Sequence, residues 1–115
     1  MYSHPQQQAS HDVKRLRKEA GEWLRMLRER QNISQRQLAS KVGIDYYTFV
    51  SQLETGHGRI PPDRYQAWAD ALGVEAQVFV RELMRYYDPV THGLLFPDTP
   101  SRSISQASNN NGAAG

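Results

Sequence analysis

Apolar residues recur three or four positions apart in five stretches of the chain, which predicts five helices. The first runs from Asp12, a plausible cap, and carries Val13, Leu16, Ala20, Trp23, Leu24 and Leu27 on one face. Gly21 interrupts it at a cost of about 1 kcal/mol relative to alanine, so the part before it is expected to fray or bend. After a turn at Asn32 and Ile33, Ser34 can cap a second helix that places Leu38, Ala39 and Val42 together, and Gly43 permits a left-handed end. Asp45 is the expected cap of a third helix ending at Gly56. Helical spacing gives that helix two stripes: Tyr46, Phe49, Val50 and Leu53 inside, and Tyr47, Thr48, Ser51, Gln52 and Thr55 outside.

The loop HGRIPP follows, too rich in Gly and Pro for a helix. Pro61 and Pro62 lead into a fourth helix, Asp63 to Leu72, closed by Gly73, with Tyr65, Trp68, Ala69 and Leu72 buried. A fifth runs from about Glu75 to Tyr87 and stops at Asp88-Pro89. Ala76, Phe79, Val80, Leu83 and Tyr87 form its stripe, and Val78, Met84 and Tyr86 widen it beyond what one core contact requires. Residues 1–11 have nothing to bury and are expected to be a disordered arm; 12–88 form one domain; 89–115 are expected to be a flexible tail. Within that tail Leu94, Leu95 and Phe96 make a short apolar cluster that either folds back or docks onto another protein. Pro97 and Pro100 have the spacing of a proline-rich ligand, a weak signal in one copy.

Composition narrows the function classes. The 115 residues suffice for one small domain. Fourteen Lys and Arg against twelve Asp and Glu give a net charge of +2, which permits nucleic-acid binding without demanding it. Four of the fourteen lie in the run Lys14, Arg15, Arg17 and Lys18, which reads either as a solvated face or as a track for DNA phosphates. With no cysteine there is neither a disulfide nor a thiolate metal site. No apolar run approaches the roughly 20 residues of a membrane helix and no signal-peptide pattern opens the chain, so a cytoplasmic location is expected. His4, His11, His57 and His92 are scattered, only His57 falls in the predicted folded region, and no HExxH pair, phosphate-cradling loop or nucleophile elbow occurs. Neither an enzyme nor a bound cofactor or metal is expected.

Residues 34–56 carry the functional reading. Two short helices joined by a tight turn, the second with one side free of core residues, have the layout of a helix-turn-helix reader of double-stranded DNA. Hydroxyl and amide groups on the free side match base-edge donors and acceptors in the major groove. His57 and Arg59 lie just beyond, where a duplex backbone would run.

Ser34-Gln35, Leu38-Ala39, Val42-Gly43, Val50, Leu53, Glu54 and Gly56 resemble the phage Cro and repressor proteins, the Xre family of helix-turn-helix DNA-binding proteins. The resemblance runs from about Gly21 to about Leu83. It implies an all-α, compact five-helix bundle of the phage-repressor type, a phosphate contact and a supporting role for Gln35, and an ion pair between Arg28 and Glu54. One departure matters: between the turn glycine and Glu54 this chain is one residue longer than the family spacing, with the extra residue near Asp45 to Tyr47. Anchoring the register on Val50, Leu53, Glu54 and Gly56 makes Tyr47, Thr48 and Gln52 the base readers, with Ser51 at the edge; Tyr47 can instead meet a phosphate or a thymine methyl. The candidate phosphate contacts are Gln35, Tyr46, His57 and Arg59.

Three readings of the whole follow. The leading one is a transcriptional regulator, repressor or activator, binding a palindromic operator as a homodimer through helix 75–87, because two-fold pairs read two half-sites about 34 Å apart. The second is an antitoxin or anti-regulator that uses the same fold to bind a protein partner, with residues 90–100 as the contact. The third is a nonspecific nucleoid binder resting on the basic residues from Lys14 to Arg30.

Overall fold

The structure is a computed structural model that describes residues 5–97, with side chains from residue 12 onward. Six α-helices follow one another: α1 (Pro5–Arg30), α2 (Gln35–Lys41), α3 (Thr48–Glu54), α4 (Tyr65–Leu72), α5 (Ala76–Tyr87) and α6 (Pro89–Leu95), with a 3₁₀ turn at Pro62–Arg64 before α4. The all-α class is as expected; the helix count is six rather than five.

One core holds them together. Leu24 and Leu27 of α1, Leu38 and Ala39 of α2, Val50 and Leu53 of α3, Trp68, Ala69 and Leu72 of α4, and Phe79 and Leu83 of α5 are all buried in a single cluster. Ile60, from the loop after α3, is fully buried among them. Trp23 adds an aromatic layer over α5, its ring stacked 5.4 Å from Phe79 and tilted 5.9 Å from Tyr86. Tyr86 therefore spends its apolar surface inside the chain, and burial with the neighbouring Glu82 carboxylate pushes its phenol up to about 12.

Four expectations are corrected. α1 starts at Pro5 rather than Asp12; proline costs nothing in a first turn, and the glutamines and alanine that follow are good helix formers. α1 runs without interruption through Gly21. That glycine is buried, and a Cβ there would lie 2.5 Å from the backbone oxygens of Leu53 and Glu54, so it is the point at which α1 and α3 touch backbone to backbone. α3 starts at Thr48, with Tyr47 rather than Asp45 at the cap position and no side-chain cap. Finally, residues 89–95 are helical. Asp88-Pro89 ends α5 but also opens α6, because Asp88 accepts the Thr91 N–H at 3.2 Å and Pro89 occupies the first turn. Pro100 and residues 101–115 lie outside the described residues, as do residues 1–4.

α6 lies back on α5. His92 is buried, its ring 5.2 Å from Phe96, and Arg81 of α5 stacks 4.6 Å over Phe96. Of the predicted apolar cluster, Phe96 folds back while Leu94 and Leu95 stay exposed.

Candidate nucleic-acid interface

α2 and α3 owe their placement to three sets of contacts. At the start of α2, Ser34 Oγ accepts the Gln37 N–H at 3.0 Å while Ser34 N–H donates to Gln37 Oε1 at 2.7 Å, a reciprocal capping box. At its end, Gly43 takes the left-handed φ of +76° expected of it, and Arg64 donates to the Val42 carbonyl at 3.0 Å. The carbonyls of Leu38, Ala39 and Ser40 accept from Val42, Ile44 and Gly43 N–H within the motif, and the cap carbonyl of Val42 is satisfied by a residue outside it.

The third set is buried beneath α3. Arg28 Nε and Nη2 reach the two Glu54 carboxylate oxygens at 2.6 and 3.0 Å, and the side chains are only 11% and 4% exposed, so the pair belongs to the buried kind. Gln35 Nε2 adds a third bond to Glu54 at 3.0 Å, and Arg28 Nη1 donates to the Ile33 carbonyl at 2.9 Å. The Glu54 hydrogen bond is the main reason the Arg28 guanidinium sits above its usual pKa. One carboxylate therefore joins α1, α2 and α3, and it fixes the depth at which α3 lies.

Held this way, α3 turns Val50, Leu53 and Glu54 inward and leaves Thr48, Gln52 and Thr55 exposed, with Ser51 half-buried at the edge. The expected division of the helix holds with one exception. Tyr46, counted on the inner stripe, is 74% exposed. Because α3 starts two residues after it, the extra residue of the turn is taken up in a non-helical segment that bends at Asp45, and helical phase does not reach back that far.

The other candidate residues are placed as follows. Tyr47 lies at the mouth of the motif under Arg36, whose guanidinium sits 4.2 Å above its ring. The pair borders an open pocket of about 410 Å³ that Ser40, Gly43, Ile44 and Asp45 also line. Arg36 was missed from the sequence; its position beside Gln35 at the start of α2 was the available signal. Gln35 is half-buried and committed to Glu54. His57 is exposed beyond α3, its Nδ1 3.1 Å from Thr55 Oγ1. Arg59 is exposed, its guanidinium 4.7 Å from the Tyr87 ring centroid. Tyr47, Thr48, Gln52, His57 and Arg59 are thus all exposed, on α3 or in the segments that flank it, while Gln35 is half-buried against Glu54.

Among the described residues no group of three or more His, Asp or Glu side chains could hold a metal ion, and no helix is long and apolar enough to cross a membrane. His92, which the sequence left outside the folded region, is buried with its Nε2 unpartnered. Burial, aided by Arg85 and Arg81 against an opposing Glu82, holds its pKa below the ordinary imidazole value.

Comparison with known families bears directly on this arrangement. Residues 24–79 match the model of a family described as helix-turn-helix, that of Xre-, Cro- and CI-type DNA-binding proteins. The match spans α2, α3 and α4 together with the last turns of α1 and the start of α5. No curated protein matches the chain.

Proposed function

We propose, from the premise that residues 24–79 are a helix-turn-helix domain of the Xre, Cro and CI type, that this protein is a sequence-specific transcriptional regulator acting on DNA in the cytoplasm. It inserts α3 into the major groove and binds a palindromic operator as a homodimer. The observation that carries the reading is the outer face of α3: Thr48, Gln52 and Thr55 are exposed on a helix whose opposite side is locked by Val50, Leu53 and a buried ion pair. An exposed polar face on a rigid support is what base-edge readout requires. Tyr47, Thr48, Gln52 and, at the edge, Ser51 are the base readers; His57, Arg59 and the exposed Tyr46 face phosphates, while Gln35, its amide bonded to Glu54, supports α3 from beneath.

Dimerisation through α5 extends to side chains of α6. Trp23 and α6 take up much of the surplus apolar surface of α5, and what remains open is Val78 on α5 with Val90, Leu94 and Leu95 on α6. Those four side chains are the proposed pairing surface. The same exposed α6 residues favour a second reading, in which the chain binds a protein partner as an antitoxin or anti-regulator through residues 90–100.

Selection of bound duplexes from a random library tests both. A palindromic motif supports the regulator; failure of the wild-type chain to enrich any sequence, with co-purification of a partner that Leu94→Glu releases, supports the second reading. Given an enriched site, Gln52→Ala should relax discrimination at one base pair by about 1–3 kcal/mol. Arg59→Ala should weaken all duplexes nearly equally.

A further inference from the structure

We infer that Arg17 and Lys18, on the first half of α1, join Arg59 in a DNA-phosphate clamp built around the ring of Tyr87 at the far end of the reading helix. The inference rests on the reading of the chain as a duplex-DNA binder and adds contacts from outside the helix-turn-helix.

Two guanidinium groups share one ring. Arg17 lies 5.5 Å and Arg59 4.7 Å from the Tyr87 centroid. Their charges repel, and among the described residues none of Arg17, Lys18 and Arg59 has a carboxylate within ion-pair distance. Two other arginines of α1 are differently placed: Arg15 is paired with Glu19 at 3.2 Å and Asp12 at 3.7 Å, and Arg25 with Glu29 at 3.0 Å. The Asp88 carboxylate, which is close enough to feel Arg59, is engaged in capping Thr91. An anion beside the Tyr87 ring would supply what the protein itself does not.

The cluster is fastened to the end of α3. Arg17 Nη1 donates to the Gly58 carbonyl at 3.2 Å, and the Ile60 N–H donates to the Tyr87 hydroxyl at 3.1 Å. Gly56, at a φ of +92°, lies so close to α1 that a Cβ would come within 2.9 Å of Lys18 Cα. The first residues after the reading helix are thus pressed onto the turn of α1 that carries Arg17 and Lys18. Cations held at fixed distance from a groove-reading helix are positioned for the phosphates that border the groove. The basic run of the sequence is thereby divided: Arg15 belongs to a solvated ion pair, and Arg17 and Lys18 to the clamp.

The test is binding of the full chain to its selected duplex and to a random duplex, measured by anisotropy across a range of salt. Arg17→Ala is expected to weaken both complexes several-fold and to lower the slope of log K against log salt by about 1, the value for one phosphate contact. Lys18→Gln should do the same, Arg17→Lys should keep the slope, and Arg15→Ala should leave both quantities unchanged. A wild-type slope in both Arg17→Ala and Lys18→Gln overturns the clamp whether or not affinity falls, because bracing the loop alone does not change the number of neutralised phosphates. If the wild-type chain binds neither duplex, the functional reading itself fails and not the clamp alone.

Discussion

α3 and α6 are both seven residues long, too short to persist alone, and they are kept by opposite means. α3 buries Val50, Leu53 and Glu54, makes a bidentate pair with α1 and presents hydroxyl and amide groups outward. α6 buries only His92 and presents Val90, Leu94 and Leu95, which are 73%, 77% and 59% exposed. A helix fixed from below can offer water a polar face at no cost and hold it still for a partner. One resting on an imidazole and the Phe96 ring that follows it, with aliphatic groups in solvent, is the less firmly held of the two, and its outer face suits an apolar surface.

Breaking the support of α3 should therefore have the largest effect. Glu54→Ala leaves Arg28 buried and uncompensated, and chemical denaturation should show a loss of about 3–5 kcal/mol. Gly21→Ala comes next: the added methyl meets the Leu53 and Glu54 backbone oxygens, so α1 and α3 must separate. The expected cost is about 1–3 kcal/mol, with weaker duplex binding because the reading face shifts. The smallest effect sharpens the other side of the comparison. Burial holds the His92 pKa below 6.5, so the detached helix takes up a proton more readily than the docked one. Docking of α6 is then complete above about pH 6.5 and weakens as pH falls below it. NMR titration of the Phe96 ring should report that loosening, and His92→Leu should abolish its pH dependence without disturbing α3.

What could be read from the sequence was local or repeated. The Ser34 cap, the left-handed Gly43 and the apolar faces of α1, α4 and α5 all follow from spacing, and the resemblance to Xre-type proteins supplied the Arg28–Glu54 pair. The misses share one property, dependence on what lies across the fold. Gly21 looked like a flaw because nothing nearby in sequence announces that α3 will press against it. Asp88-Pro89 reads locally as a stop, although the same two residues can start a helix once α5 offers a surface for His92 and Phe96. Of the polar site residues, Gln35 was placed at the DNA by resemblance, while the structure shows its amide engaged with Glu54. Arg36 escaped notice because a stacking partner eleven positions away leaves no trace in a helical pattern.

The extra residue between Gly43 and Thr48 has a consequence for how such a surface can change. Arg64 secures the end of α2 and Glu54 secures α3 from outside the segment between them. Within that segment the backbone serves both helices, Ile44 N–H donating to the Ala39 carbonyl and the Tyr46 carbonyl accepting from Phe49 N–H, while the Asp45 and Tyr46 side chains are exposed. Side chains exchanged at those two positions would alter what projects at the rim, as the outturned phenol of Tyr46 does now, while the reading helix kept its angle and its depth.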